Sequence, residues 1–340
     1  MTNLMAASTE LFHRSPDERF DSLESLAAHV KHEQAVSREH WEQHVEPESI
    51  DGETLGLRLE DGSLQYLNDW SFGQLCRHCR LPKDTINRLS PATATQVVRE
   101  TLPRSGRKPL QIYSVGHQAH AIHGTSYTRL YNAELLDAVR DSACGFTPPP
   151  VGFNGATGLY AGEQDMFCFL IDDDGWIDIR GEQFAPGFFV WNSEVGRRSV
   201  GLTTFWFQAV CQNHIVWDTT DVVEFTRKHT ANVHESLAVV RRMIGDLARR
   251  RDERRDGFAK MVSQAMDARV GDTDEATTLL AKHGFAGKLA QQAVELAELR
   301  DSMNVFGLVD ALTRIAGKLE FAGDRLELDT KAAGLLALAA

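Results

Sequence analysis

Three tryptophans, two asparagines, two carboxylates and two arginines crowd into GFFVWNSEVGRRSVGLTTFWFQAVCQNHIVWD, residues 187–218. Aromatic faces stack on bases, guanidiniums pair with phosphates, and amides reach base edges or sugars. Trp191, Asn192, Arg197, Arg198, Asn213, His214, Arg227, Lys228 and His229 therefore supply the groups of a single-strand nucleic-acid groove. The competing reading is structural: Asn192 and Asn213 cap turns, Glu194 pairs with Arg197 or Arg198, and the tryptophans are buried. A catalytic reading makes Glu194 and His214 an acid–base pair, with Asp218 or Asp221 as a second carboxylate. Ser193 is no nucleophile elbow, because Trp191-Asn192 and Glu194-Val195 flank it, with Trp191 and Val195 where G-x-S-x-G needs glycines.

A helical seam further along points to the same anionic partner. Val233, Leu237, Val240, Ile244 and Leu247 alternate spacings of four and three, and Phe258, Met261 and Ala265 continue the register. Arg251 and Arg254 stand on the seam between them. A buried seam does not accept unpaired guanidiniums, so the helix leaves its partner there, turns, or meets an anion.

Other reactive spacings read as structure. Cys76 and Cys79 have C-x2-C spacing, but no second ligand pair exists for a zinc site, and on a helix both face the core with Leu75. His117, His120 and His123 alternate faces on a strand and do not converge on a metal. Asp172, Asp173 and Asp174 lack calcium-loop spacing. No metal and no cofactor is expected. QLCRHCRLPKDTINRL, residues 74–89, follows a helix-turn-helix pattern exposing Lys83, Asp84, Thr85, Asn87 and Arg88, with Arg80 where the turn usually carries glycine.

The composition permits such a partner. The net charge is −12, but residues 1–62 hold 14 of the 48 acids and 5 of the 36 bases, a net −9. Between Arg197 and Lys260, 12 bases face 8 acids, so a locally positive surface beside an acidic arm is expected. No apolar run reaches the roughly 18 residues of a membrane span, and the N-terminus lacks signal-peptide features. The five cysteines read as reduced thiols in a cytoplasmic protein.

These groups need a scaffold. Residues 16–45 show helical spacing at Phe20, Leu23, Leu26 and Val30. LGLRLEDGSLQYL, 55–67, is a hairpin turning at Asp61-Gly62, and 70–101 returns to helix. PLQIYSV and HQAHAIHG are paired strands, and Asn132 caps a helix. Residues 145–165 form a functional loop or lid. MFCFLIDDDGWIDIR is a hairpin at Asp-Gly, and the opening stretch supplies further strands. The expected fold class is α+β, with a central, mostly antiparallel sheet core, a helical N-terminal portion and an all-helical C-terminal portion. Its segments are an acidic arm (1–62), a helix-turn-helix-like module (63–102), an α+β core (103–229) and a helical domain (230–340).

GTSYTRLYNAELLDAV, PGFFVWNSEVGRRS, the AVCQNHIVW block and TRKHT resemble the domain of unknown function DUF932 family, the phage- and plasmid-like proteins of bacteria. The resemblance covers most of residues 65–240 and implies a mobile-element protein without an established activity. The leading expectation is nucleic-acid binding, with single-strand handling in recombination or replication and a homo-oligomeric assembly. The alternatives are a hydrolytic or nucleolytic enzyme using Glu194 and His214, and an interaction protein whose acidic arm mimics DNA.

Overall fold

The computed structural model describes residues 11–102, 108–150, 157–209, 213–215 (as backbone) and 225–339. Along them run β1 (Glu18–Arg19), α1 (Leu23–Val36), β2 (Ser37–Glu42), β3 (Glu46–Ile50), β4 (Thr54–Arg58) and β5 (Leu64–Leu67). Next come α2 (Asp69–Cys79), α3 (Lys83–Asn87), α4 (Pro91–Thr101), β6 (Leu110–Val115), β7 (Gln118–His123) and α5 (Asn132–Ser142). Strands β8 (Phe146–Thr147), β9 (Leu159–Ala161), β10 (Met166–Asp172), β11 (Ile177–Ile179) and β12 (Glu182–Asn192) follow. Then come β13 (Val200–Gln208), β14 (Asn213–Ile215) and β15 (Phe225–Arg227). The chain closes with α6 (Ser236–Arg249), α7 (Arg251–Asp267), α8 (Thr273–Lys282), α9 (Gly287–Leu299), α10 (Val305–Ala316) and α11 (Ala322–Ala333).

The α+β class is as expected, but the strands form two sheets. The smaller is ordered β2-β6-β7-β5-β4-β3 and draws on residues both before 68 and after 109. Its pairs are antiparallel except β5 with β7, which run parallel. The larger runs β1-β9-β10-β12-β13-β14, with β8 on β10, β11 on β12 and β15 on β13. Alternation sets its two faces. Phe188 and Val190 face α1, α5 and α6, while Phe189 and Trp191 join Phe167, Phe169, Phe205 and Phe207 on the other side. Trp206 stacks on Phe258 at 4.1 Å and anchors the C-terminal helices to this sheet. Among the described residues no helix is long and apolar enough to cross a membrane.

Several local expectations change. The helix expected over 16–45 is capped by Ser22, whose hydroxyl accepts the Ser25 amide, and it stops at Val36. Ser37–Glu42 pairs with β6 instead, since alternation there suits a half-covered edge strand. The hairpin expected at Asp173–Gly175 does not form. Asp172 caps a 3-10 turn at that point, and β11 crosses to pair with β12. The hairpin turn is Arg180-Gly181, both at positive φ (55° and 87°), as a two-residue primed turn requires. Asn132 is the first residue of α5, with Tyr131 at the cap.

The helix-turn-helix pattern gives an αL residue at Arg80 (φ 59°, ψ 38°), the conformation glycine usually supplies. The element after it, α3, spans five residues, too short to lie along a groove. Asn87 is buried with its side chain on the Phe12 backbone, and Lys83 pairs with Asp69 at 2.6 Å. Cys76 and Cys79 are core residues, and burial pushes the Cys76 thiol up to about 12.

Candidate functional site

The segment Asn192–Gly196, between β12 and β13, joins the two sheets. Its residues are held from several elements, α5, β6, α2 and β7 among them. Asn192 is fully buried and donates to the Leu130 carbonyl at 2.8 Å and to Asn132 Oδ1 at 2.9 Å. Ser193 Oγ donates to the Gln164 carbonyl and accepts the Arg197 amide. Glu194 accepts the Tyr113 hydroxyl at 2.6 Å and the Asn132 amide at 2.5 Å. The Val195 carbonyl accepts Trp70 Nε1 at 2.9 Å, Gln74 Nε2 at 3.2 Å and His123 Nε2 at 2.9 Å. Gly196 sits at φ +74°, and a Cβ there would lie 2.8 Å from His123 Nε2, so glycine is required twice over.

Beneath this clasp lies a cationic and aromatic bed. Arg129, with its side chain 1% exposed, binds Glu39 at 2.8 Å and donates to the Glu194 carbonyl. Its guanidinium lies 3.8 Å from the Tyr113 ring centre. His123, Tyr127 and His229 form a stack, with successive centroids 3.6 and 5.3 Å apart. Burial, reinforced by Arg129, lowers His123 to about 3 and His229 to about 4, so both rings are neutral near pH 7. Burial also raises the Glu194 carboxyl, against the pull of Tyr113, the Asn132 amide and Arg129.

The stack opens on a cavity of about 430 Å³ lined by Trp70, Gln74, Arg77, His78, His123 and Tyr127, among others. Trp70, Gln74 and Arg77 occupy one face of α2, spaced i, i+4, i+7, while Phe72, Leu75, Cys76 and Cys79 fill the core behind it. The Arg77 and Arg197 guanidiniums lie 5.3 and 5.9 Å from the Trp70 ring centre, and both residues are exposed. A half-buried indole between two exposed arginines, beside a neutral His–Tyr stack, can receive a flat ring and an adjoining anion.

The expected site residues are dispersed around this feature. Arg197 and His229 belong to it. Asn192 and Glu194 lie within the clasp and do not line the cavity. Glu194 pairs with Tyr113 and Asn132 rather than with Arg197 or Arg198. Arg198 binds Asp165 and Glu327, and Arg227 binds Glu235 and the Asn232 carbonyl. Trp191 is half-buried against Phe189. Lys228 is exposed one residue before His229. Asn213 pairs in register with Gln208, whereas Asn192 lies at the Val200 end of β13, eight residues away. At about 3.3 Å per residue this is roughly 26 Å, so no single patch contains both. His214 lies on the same short strand as Asn213. Trp217, Asp218 and Asp221 lie outside the described residues.

The seam also has a structural resolution. The helix breaks at Arg250, and Arg251 clamps the buried Asp172 with two hydrogen bonds. Arg254 is buried. A β-bulge opposite Tyr113 and Ser114 sets His120 edge-on to Tyr113, apart from the cavity.

A family model for the domain of unknown function DUF932 matches residues 119–300, more than half of the chain. The chain belongs to the DUF932 family. No curated protein and no solved structure matches it. The DUF932 segment supplies the clasp, Tyr127, Arg129 and His229. The opposite wall, Trp70 to His78 on α2, comes from residues before the matched segment.

The clasp makes a stability prediction for Glu194. Glutamine there keeps the acceptor for Asn132 but turns an amide toward Tyr113, removing a charge-assisted bond. Urea unfolding of Glu194→Gln should show a loss of about 1–3 kcal/mol. An unchanged midpoint would show that the buried carboxylate does not hold the sheets together.

Proposed function

We propose that this DUF932 protein binds single-stranded nucleic acid in the groove between α2 and the clasp. The observation that carries the reading is Trp70, set between Arg77 and Arg197 at the mouth of a cavity walled by the His123–Tyr127 stack. Stacking platforms edged by guanidiniums are the parts of a sequence-tolerant single-strand groove. In this reading it is a cytoplasmic protein of a mobile genetic element, handling single strands in recombination or replication and working as an oligomer. The phage- and plasmid-like resemblance of its clasp sequence supports that setting.

The competing readings have less support. A hydrolase using Glu194 would need a carboxylate facing substrate, yet both Glu194 oxygens are engaged away from the cavity. A DNA-mimicking arm would need a segment free of the rest of the fold, whereas β2, β3, β4 and β5 of residues 1–67 are strands of the six-stranded sheet and Glu39 binds Arg129.

Gel shifts with single-stranded DNA, duplex DNA and RNA at several salt concentrations test the proposal. Each phosphate neutralised on a single strand contributes about −0.7 to the slope of log affinity against log salt. Arg77→Ala and Arg197→Ala should each flatten that slope by about 0.7. Arg251→Ala should leave the slope unchanged and lower stability, because its partner is Asp172. A wild type that retains no oligonucleotide at low salt overturns the reading.

A further inference from the structure

The small sheet carries a row of side chains leading out of the groove. In register, Trp41 of β2 stands opposite Gln111 of β6, and Gln111 opposite His123 of β7. Residues paired in this way share one face of a sheet. Trp41 is therefore on the face that His123 presents to Tyr127, two strands away, or roughly 10 Å at the usual strand spacing. Gln111 is buried, whereas Trp41 is 49% exposed on an edge strand.

A second concavity of about 330 Å³, lined by His78, Lys108, Leu110, Gly124, Thr125 and Ser126, lies toward that end of the sheet. It shares His78 and Gly124 with the first, so the two concavities adjoin. Its lining residue Leu110 pairs with Glu42, the neighbour of Trp41; by alternation both side chains lie on the opposite face from Trp41, so the approach to Trp41 rounds the end of the sheet where β2 stops and β6 begins. Lys108 is exposed along this path. The acids beside it are already engaged. Glu39 accepts from Arg129 and Gln111, and the buried Glu42 accepts the Glu60 amide.

We propose that Trp41 is a second stacking station, and that the ligand is an extended single strand of several nucleotides rather than a mononucleotide. The strand lies with one base near Trp70 and Tyr127, its backbone passes His78 and Lys108, and a later base stacks on Trp41. Two aromatic platforms with an exposed lysine between them suit a repeated base-and-phosphate polymer; one nucleotide cannot reach both. This inference rests on the proposed nucleic-acid reading of the same groove and assigns it a length and a path.

Fluorescence anisotropy with labelled thymidine di-, tetra- and octanucleotides separates the two claims. Wild-type affinity should rise with length. Trp41→Ala should weaken the octanucleotide about tenfold and leave the dinucleotide unchanged, while Trp41→Phe restores length dependence. Trp70→Ala should weaken every length. If Trp41→Ala binds the octanucleotide as wild type does, or if wild-type affinity does not depend on length, the path across the sheet is wrong and the groove reading survives. If no oligonucleotide binds the wild type, both fall. Trp41 is exposed, so circular dichroism of the alanine variant should match wild type.

Discussion

Replacing Arg129 by alanine should lower the unfolding free energy by about 3–5 kcal/mol, the largest single effect expected in this fold. The side chain is 1% exposed and serves three partners: the Glu39 carboxylate, the Glu194 carbonyl and the Tyr113 ring. Removing it leaves Glu194 buried without its nearest cation and leaves the Glu194 carbonyl without a donor. It also opens a cavity under Tyr127, whose ring lies 5.3 Å from the guanidinium. Arg129→Lys should recover only part of the loss, because one ammonium cannot reach a carboxylate and a carbonyl in a planar fork. Urea denaturation measures both, and an unchanged m-value would show that the denatured state is unaffected. A loss below about 1 kcal/mol would mean that the buried charge is dispensable and that apolar packing alone joins the sheets.

The elements that local chemistry dictates were legible in the sequence. The Asp61-Gly62 hairpin, the β6–β7 pair and the helical tail from Ser236 all follow from turn residues and apolar period. Strand partnership was less legible. Met166–Asp172 and Ile177–Ile179 look like one hairpin, yet each pairs with β12, and nothing local distinguishes the two outcomes. The parallel contact of β5 with β7 spans a connection of about fifty residues that includes α2, α3, α4 and β6, beyond any periodicity argument.

The site was half legible. NSEVG was recognisable as dense polar chemistry, but its groups point into a joint, and only long-range contacts reveal that. Two periodic signals were available. Tyr127, Arg129 and Tyr131 alternate in an extended run, which places them on one side. Trp70, Gln74 and Arg77 form a stripe opposite the apolar face of α2, and a tryptophan on that polar stripe marks a second contact surface of the helix. The Arg251 anomaly was real as sequence and was resolved by Asp172, a partner 79 residues away.

The stack should make the protein acid-sensitive in a way one substitution isolates. His229 has an ordinary value near 6.5 in the unfolded chain and about 4 in the fold, because burial first and Arg129 next disfavour its charge. Between those values the unfolded state holds a proton that the folded state does not, so stability falls as pH falls from 6.5 to 4. Each unit costs about 1.4 kcal/mol, or about 3 kcal/mol in all. His123, lowered to about 3, acts with the same sign. Glu163 and Asp329, both raised by burial to about 7, act with the opposite sign. Each favours the fold below its unfolded value and loses that contribution as pH rises toward 7. The wild-type profile therefore mixes opposing contributions, and its slope alone identifies none of them. His229→Phe keeps a ring stacked on Tyr127 and cannot take the proton. Subtracting the variant's stability from wild type's at each pH cancels the shared groups and should leave a difference that falls by about 3 kcal/mol from pH 7 to pH 4. A difference that stays flat would place His229 in a solvated position, and the neutral His–Tyr wall of the groove would be lost with it.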